Sequence, residues 1–388
     1  MSNRELCRRA RQAKHTIRIG FLAGLILMTT ALAACGSSSP PPTSTSSTPA
    51  PMSSAWVKDS IHKLNVFLPD ADSVYWFDGY GTTNGARTVI SGKVPDARYW
   101  SFTAYPFPPD APRQHVHDDD VQQQDGHYNI TIAADCSRVS PTCLAMGPKV
   151  GGGVVVFRLY VPADLNSAGT GGVPLPRISY ESSSGSTLTL AQASGSQTVP
   201  KVIDGYRAQN GALPAALTKT YPPPVPVPTA VVNPPPAMAV NHGGEGPYSN
   251  PDNFYQHVRY TTTRGDLVVS AKAPTYQTDS FPKENDLARP ASQNPQVRYW
   301  SLCTVLIGRH TGDCLRDEQV YIPRGTAVFT VIVAPTCPVS GYANCIEAGP
   351  EPLQNSLSYR NLLPSKSFSP LAFNGPYRLT ATYVARPG

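Results

Sequence analysis

The densest chemistry in the chain lies in six consecutive residues, His115-Val116-His117-Asp118-Asp119-Asp120. In an extended backbone alternate side chains share a side, so His115 and His117 project together with the carboxylates directly after them. That set could hold a divalent metal, or serve as acid and base in catalysis. Tyr99, Trp100, Tyr299 and Trp300 could offer flat faces for stacking a sugar, although aromatics at strand spacing read first as core. The sequence contains no Gly-x-Ser-x-Gly elbow, no His-Glu-x-x-His and no phosphate-binding glycine loop. A standard hydrolase or nucleotide enzyme is thereby disfavoured, and no cofactor is implied.

These residues sit in a repeated framework. Arg98-Tyr99-Trp100-Ser101 returns as Arg298-Tyr299-Trp300-Ser301. Around each copy run a β-rich approach, the Tyr-Trp-Ser strand, an acidic loop, a second strand, a cysteine-bounded loop and an arginine-containing strand ending in proline. On this alignment Asp119 and Asp120 fall on Asp317 and Glu318, and the second copy has no histidine pair. Acids common to both copies read as turn residues whose carboxylates accept backbone N–H bonds. On that reading His115 and His117 are exposed and replaceable at little cost, whereas Asp119 is not.

Cysteines and the N-terminal region define an address. Leu32-Ala33-Ala34-Cys35 resembles a bacterial lipobox, in which the cysteine is lipidated and becomes residue one; it follows a basic start and a short apolar run, Phe21 to Met28. That run falls short of the roughly 20 apolar residues of a membrane span and suits a signal peptide. Two acyl chains suffice for stable anchoring. Cys136, Cys143, Cys303, Cys314, Cys337 and Cys345 then remain, an even number in an exported chain, which favours disulfides. Their spacing predicts the local pairs Cys136–Cys143, Cys303–Cys314 and Cys337–Cys345. Zinc is the rival reading, but no Cys-x-x-Cys occurs. The formal charge of +6 is concentrated in the signal, leaving 26 basic against 25 acidic residues beyond it, so nucleic acid is not an expected partner.

The organisation follows: signal peptide 1–34, lipidated cysteine and disordered tether 35–54, first module 55–220, proline-rich linker 221–240 and second module 241–388. The tether is a Ser/Thr/Pro tract of low apolar content. With 41 prolines, 30 glycines and 15% charged residues, the chain reads as all-β. Ser73–Phe77 and Arg87–Val94 read as strands joined by a turn at Gly79, Gly81, Asn84 and Gly85. Trp100 and Phe102 alternate with Tyr99, Ser101 and Thr103, which leaves one strand face for core and one near solvent. Arg158 and Arg360, each four residues before a proline in an apolar strand, require buried polar partners. Residues 208–219 read as a short helix, and Tyr377–Val384 as a closing strand.

Arg98–Tyr105, Asp125–Ile132 and Phe157–Pro162 resemble the three signature blocks of a bacterial envelope module, domain of unknown function 1214. The resemblance covers about 70 to 100 residues of each half and implies a jelly-roll-like β-sandwich in the cell envelope, with no agreed activity. The expectation is a lipid-anchored envelope lipoprotein, exported and held on the cell membrane or outer membrane. It would act as a non-catalytic binding or assembly component for an envelope glycan, lipid or protein. The alternative is an enzyme acting on envelope glycans or lipids through His115, His117, Asp118, Asp119 and Asp120.

Overall fold

Runs rich in Val, Ile, Tyr, Phe and Thr, cut by glycine and proline, become strands throughout the described part of the chain. The computed structural model describes residues 56–107, 113–137, 142–208, 237–242, 249–276, 295–306, 310–337, 344–348, 355–366, 368 and 374–384. The signal peptide, Cys35, the tether and residues 209–236 of the connection lie outside the described residues.

The first half contributes β1 (Val57–Asp59), β2 (Ser73–Gly81), β3 (Arg87–Lys93), β4 (Ala97–Pro106), β5 (Gln114–His117), β6 (Gln123–Gln124), β7 (His127–Ala133), β8 (Cys143–Ala145), β9 (Gly152–Pro162), β10 (Arg177–Glu181) and β11 (Thr187–Leu188), then helices α1 (Leu190–Ser194) and α2 (Thr198–Ala208). The second contributes β12 (Ala237–His242), β13 (Asn253–Tyr260), β14 (Asp266–Lys272), β15 (Tyr299–Leu306), β16 (His310–Arg316), β17 (Val328–Ala334), β18 (Cys345–Glu347), β19 (Asn355–Leu362) and β20 (Thr380–Val384). Each half is a β-sandwich. The inner sheets run β1-β2-β9-β4-β5 and β12-β13-β19-β15-β16; the outer sheets run β11-β10-β3-β7-β6, with β8 beside β7, and β18-β17-β14-β20. Pairing is antiparallel except for β8 on β7 and β18 on β17. The last long strand of each half inserts between the first and third, an interleaving characteristic of jelly-roll-like sandwiches.

Several expectations shift. The strands β2 and β3 are not a hairpin, because the chain crosses between sheets: β2 pairs with β1 and β9, and β3 with β7 and β10. Two helices, α1 with a Thr189–Gln192 capping box and α2 ending at Ala208, precede the expected short helix, whose residues 209–219 lie outside the described residues. Gly81 makes room for α1, since a Cβ there would stand 2.3 Å from the Ala193 backbone. Sheet pairing of the second half begins at Ala237, inside the expected linker, where β12 joins β13. The three local disulfides form as the spacing predicts: Cys136–Cys143, Cys303–Cys314 and Cys337–Cys345.

The strand β4 departs most from expectation. Trp100, Phe102 and Ala104 enter the first core with Phe157 and Leu159, where Phe102 and Phe157 stack at 4.5 Å. The opposite face is buried as well, with Tyr99, Ser101 and Thr103 all at 0% exposure. A second cluster covers it, joining Tyr75, Phe77, Tyr99, Val156 and Tyr160 to Tyr299 and Leu362 of the other sandwich and to Ile203 of α2. Both faces of the inner sheet are thus buried, which explains the unbroken apolar run in β9. Residues from Pro51 onward cluster as one compact unit.

The two cores differ in one respect. Trp100 faces Leu159 across β4 and β9, whereas Trp300 faces Asn361 across β15 and β19. Both amide atoms of Asn361 are buried and make no close hydrogen bond among the described residues, with the Tyr359 hydroxyl as a loose partner. Removing an unsatisfied buried polar group relieves a penalty of about 1–3 kcal/mol. Asn361→Leu, which installs the first module's residue, should therefore raise the urea midpoint. An unchanged or lowered midpoint would mean that the amide has partners in solution.

Candidate functional site: the seam between the sandwiches

The repeated Arg-Tyr-Trp-Ser strand begins at the junction of the two sandwiches. Pleating sends Trp100 and Trp300 into their own cores and Tyr99 and Tyr299 across the seam. Neither pair leaves a ring face for a sugar, since all four are at most 2% exposed. The arginine before each pair reaches the acidic loop of the other sandwich. Arg98 donates to Asp317 at 2.8 Å and to Glu318 at 2.6 Å. Arg298 donates to both Asp118 oxygens at 2.6 and 2.7 Å and pairs also with Asp119.

Strand register assigns equivalence between the loops. The Asp118 amide donates to Trp100 O, and the Asp317 amide to Trp300 O. Asp118 therefore corresponds to Asp317, and Asp119 to Glu318, one residue earlier than the sequence alignment placed them. Asp120 has no matching role and is exposed, pairing with His117 Nε2 at 3.2 Å.

Tyrosine hydroxyls complete the exchange. Tyr299 donates to Asp70 at 3.0 Å, where Ser301 also donates at 2.9 Å. Tyr99 donates to Asp252 at 2.7 Å. His115 Nε2 lies 2.6 Å from the same Asp252 oxygen, while its Nδ1 contacts Thr103. Burial alone would push the Asp252 carboxyl upward, but the bonds from His115 and Tyr99 hold it below the usual carboxylate range. The neighbouring Asp118 carboxylate lifts the His117 imidazole above its ordinary value against the opposing effect of burial, and Asp252 and Asp120 add to the lift.

The two core-strand arginines find their partners at this seam. Arg158 donates to Thr103 Oγ1 and Tyr105 OH and lies 5.0 Å from the Tyr75 ring centre. Arg360 donates to Leu68 O across the seam at 2.6 Å and stands 3.8 Å from Asp70. Arg316 pairs with Asp72 at 2.8 Å. Asn65 spans the edge of β16, its amide both donating to Thr311 O and accepting from Thr311 N.

As a metal site, His117, Asp118 and Asp119 bring donor atoms within 4.8 Å of one another. Arg298 is already paired with both carboxylates, and a dication would have to displace or face its guanidinium. As an acid–base site, His115 is tied between Thr103 and Asp252. The side chains of His115 and His117 are only 13% and 17% exposed, not free as the sequence implied. The geometry joins the two sandwiches. Sequence reasoning missed Arg98, Arg298, Asp70, Asp72 and Asp252; repetition of the arginine beside the Tyr-Trp pair was the available signal.

The chain is similar to an uncharacterised protein from Burkholderia cenocepacia, with TM-score 0.47 and 14% identity over 78% of this chain and 76% of that one. It is also similar to a protein from Vibrio parahaemolyticus, with TM-score 0.42 and 9% identity over 80% and 89% of the two chains. No family model matches the chain, and no curated protein does.

Removing one partner of a buried ion pair costs roughly 3–5 kcal/mol, because the remaining charge is left uncompensated. Arg98→Ala should reach that range in urea unfolding, since its side chain is 3% exposed and strands Asp317 and Glu318. Arg298→Ala should cost less, because Asp119 is 65% exposed and can be solvated. Equal costs would refute the asymmetry. Zinc, manganese or calcium should leave the melting temperature unchanged. A rise abolished by replacing His115 and His117 together with alanine would establish a metal site instead.

Proposed function

We propose that this chain is a lipid-anchored cell-envelope lipoprotein whose two joined β-sandwiches form a rigid, non-catalytic binding or assembly component. The observation that carries the non-catalytic reading is the commitment of His115, Asp118 and Asp119, the best candidates for chemistry, to Asp252 and Arg298 across the seam. Groups tied to partners across the seam are poorly placed to exchange protons with a substrate. The disulfides support an oxidising, extracytoplasmic compartment. The lipobox at Leu32–Cys35 supports anchoring at the membrane, and the resemblance to the envelope module domain of unknown function 1214 agrees with that address. Its partner is then an envelope glycan, lipid or protein met by the outer surfaces of the sandwiches.

The anchoring reading has a direct test. Cys35→Ser should block acylation and yield either uncleaved precursor or protein released from membranes on fractionation. A processed Ser variant that still needs detergent for extraction would overturn the assignment.

A further inference from the structure

The two halves of the seam carry different charge balances. On the Arg98 side four carboxylates, Asp70, Asp72, Asp317 and Glu318, meet three guanidiniums, Arg98, Arg316 and Arg360. All are withdrawn from water: Asp70 and Asp317 are 0% exposed at the side chain, Glu318 1%, Arg98 3%, Arg360 4%, Asp72 9% and Arg316 19%. The other buried guanidinium of the inner sheets, Arg158, is engaged elsewhere, donating to Thr103 and Tyr105. One carboxylate is therefore in excess, in surroundings where an unbalanced charge is costly.

The hydrogen bonds indicate which carboxylate can take up a proton. Asp70 is engaged at both oxygens, by the Asp72 amide on one and by Tyr299 and Ser301 on the other. Glu318 receives both Arg98 and Arg316. Asp317 receives Arg98 and the Trp300 amide, both through Oδ2, with its Oδ1 buried and without a hydrogen-bond partner among the described residues. Asp72 has the fewest donors of the four. Asp72 accepts from Arg316 through Oδ1 alone, and its Oδ2 is buried without a hydrogen-bond partner among the described residues. We propose that this side of the seam is a proton-operated lock, in which a proton on Asp72 balances the cluster in mildly acidic surroundings and its loss loosens the hold of one sandwich on the other.

The electrostatics agree in direction. Burial pushes the Asp72 carboxyl up to about 6; Arg316 pulls it down, Asp70 and Asp317 push it up, and Arg98 pulls it down. In an opened seam Asp72 meets water and ionises near the ordinary aspartate value of about 4. Between those two values the closed seam holds a proton that the open seam does not. Closure is therefore strongest below the lower value, weakens as pH rises to about 6, and changes no further through this group above it. On the Arg298 side the Asp118 carboxylate holds the His117 imidazole above its ordinary value.

Hydrogen exchange on the exported, disulfide-bonded chain tests the lock, with rates corrected for the intrinsic pH dependence of exchange. From pH 4.5 to pH 6, amides of β4 and β15 should open on the order of ten-fold more readily, while those of β3 and β14 in the outer sheets change less. Asp72→Asn should abolish the seam-specific change, and so should Asp70→Asn, which restores the balance by removing a different carboxylate. The proposal fails if the wild-type seam amides are flat across this range, or if a folded Asp72→Asn variant keeps the full wild-type response. Should both variants fail to fold, the wild-type profile alone decides.

Discussion

The structure depends on an exchange of arginines. Each sandwich extends the arginine of its Arg-Tyr-Trp-Ser strand into the acidic loop of the other, Arg98 to Asp317 and Glu318, Arg298 to Asp118 and Asp119. A guanidinium buried with carboxylates is tolerated only when its hydrogen bonds are made, so the two loops and the two strands must meet in register. That requirement buries the second face of each inner sheet and turns two tandem modules into one unit. The tyrosines beside the arginines follow, each placing its hydroxyl on an aspartate of the opposite sandwich.

Within this reciprocal plan the two modules have diverged at matching positions. Where His115 faces Thr103 in the first inner sheet, Cys314 faces Cys303 in the second, and a disulfide replaces a hydrogen bond. His117 and Arg316 likewise hold the same position, opposite Ser101 and Ser301. The Arg298 side consequently relies on imidazoles and a solvated Asp119, the Arg98 side on guanidiniums and a covalent tie.

The same joint occupies the most enzyme-like residues of the chain. His115 and the aspartates after His117 have the composition of a site but spend their bonding capacity on the neighbouring sandwich. Surfaces left for a partner are the outer sheets and loops, whose few exposed large apolar residues among the described ones include Tyr321 and Val328.

The repeat, the strand-rich architecture, the three local disulfides and the burial of Trp100 and Trp300 were all legible in the residues. Each rests on local spacing: alternation at period two, cysteines a few residues apart, glycine and proline as punctuation. The destination of Arg98 was not legible, because its partners lie 219 and 220 residues away. Nor was the burial of Tyr99, Ser101 and Thr103, whose polar alternation reads as a solvent face until a second sheet covers it. Sequence alone determined which side chains share a face. Only the packing of one sandwich on the other decided whether that face meets water or a charge of opposite sign, because long-range electrostatic and hydrogen-bond partners carry no local period in the chain.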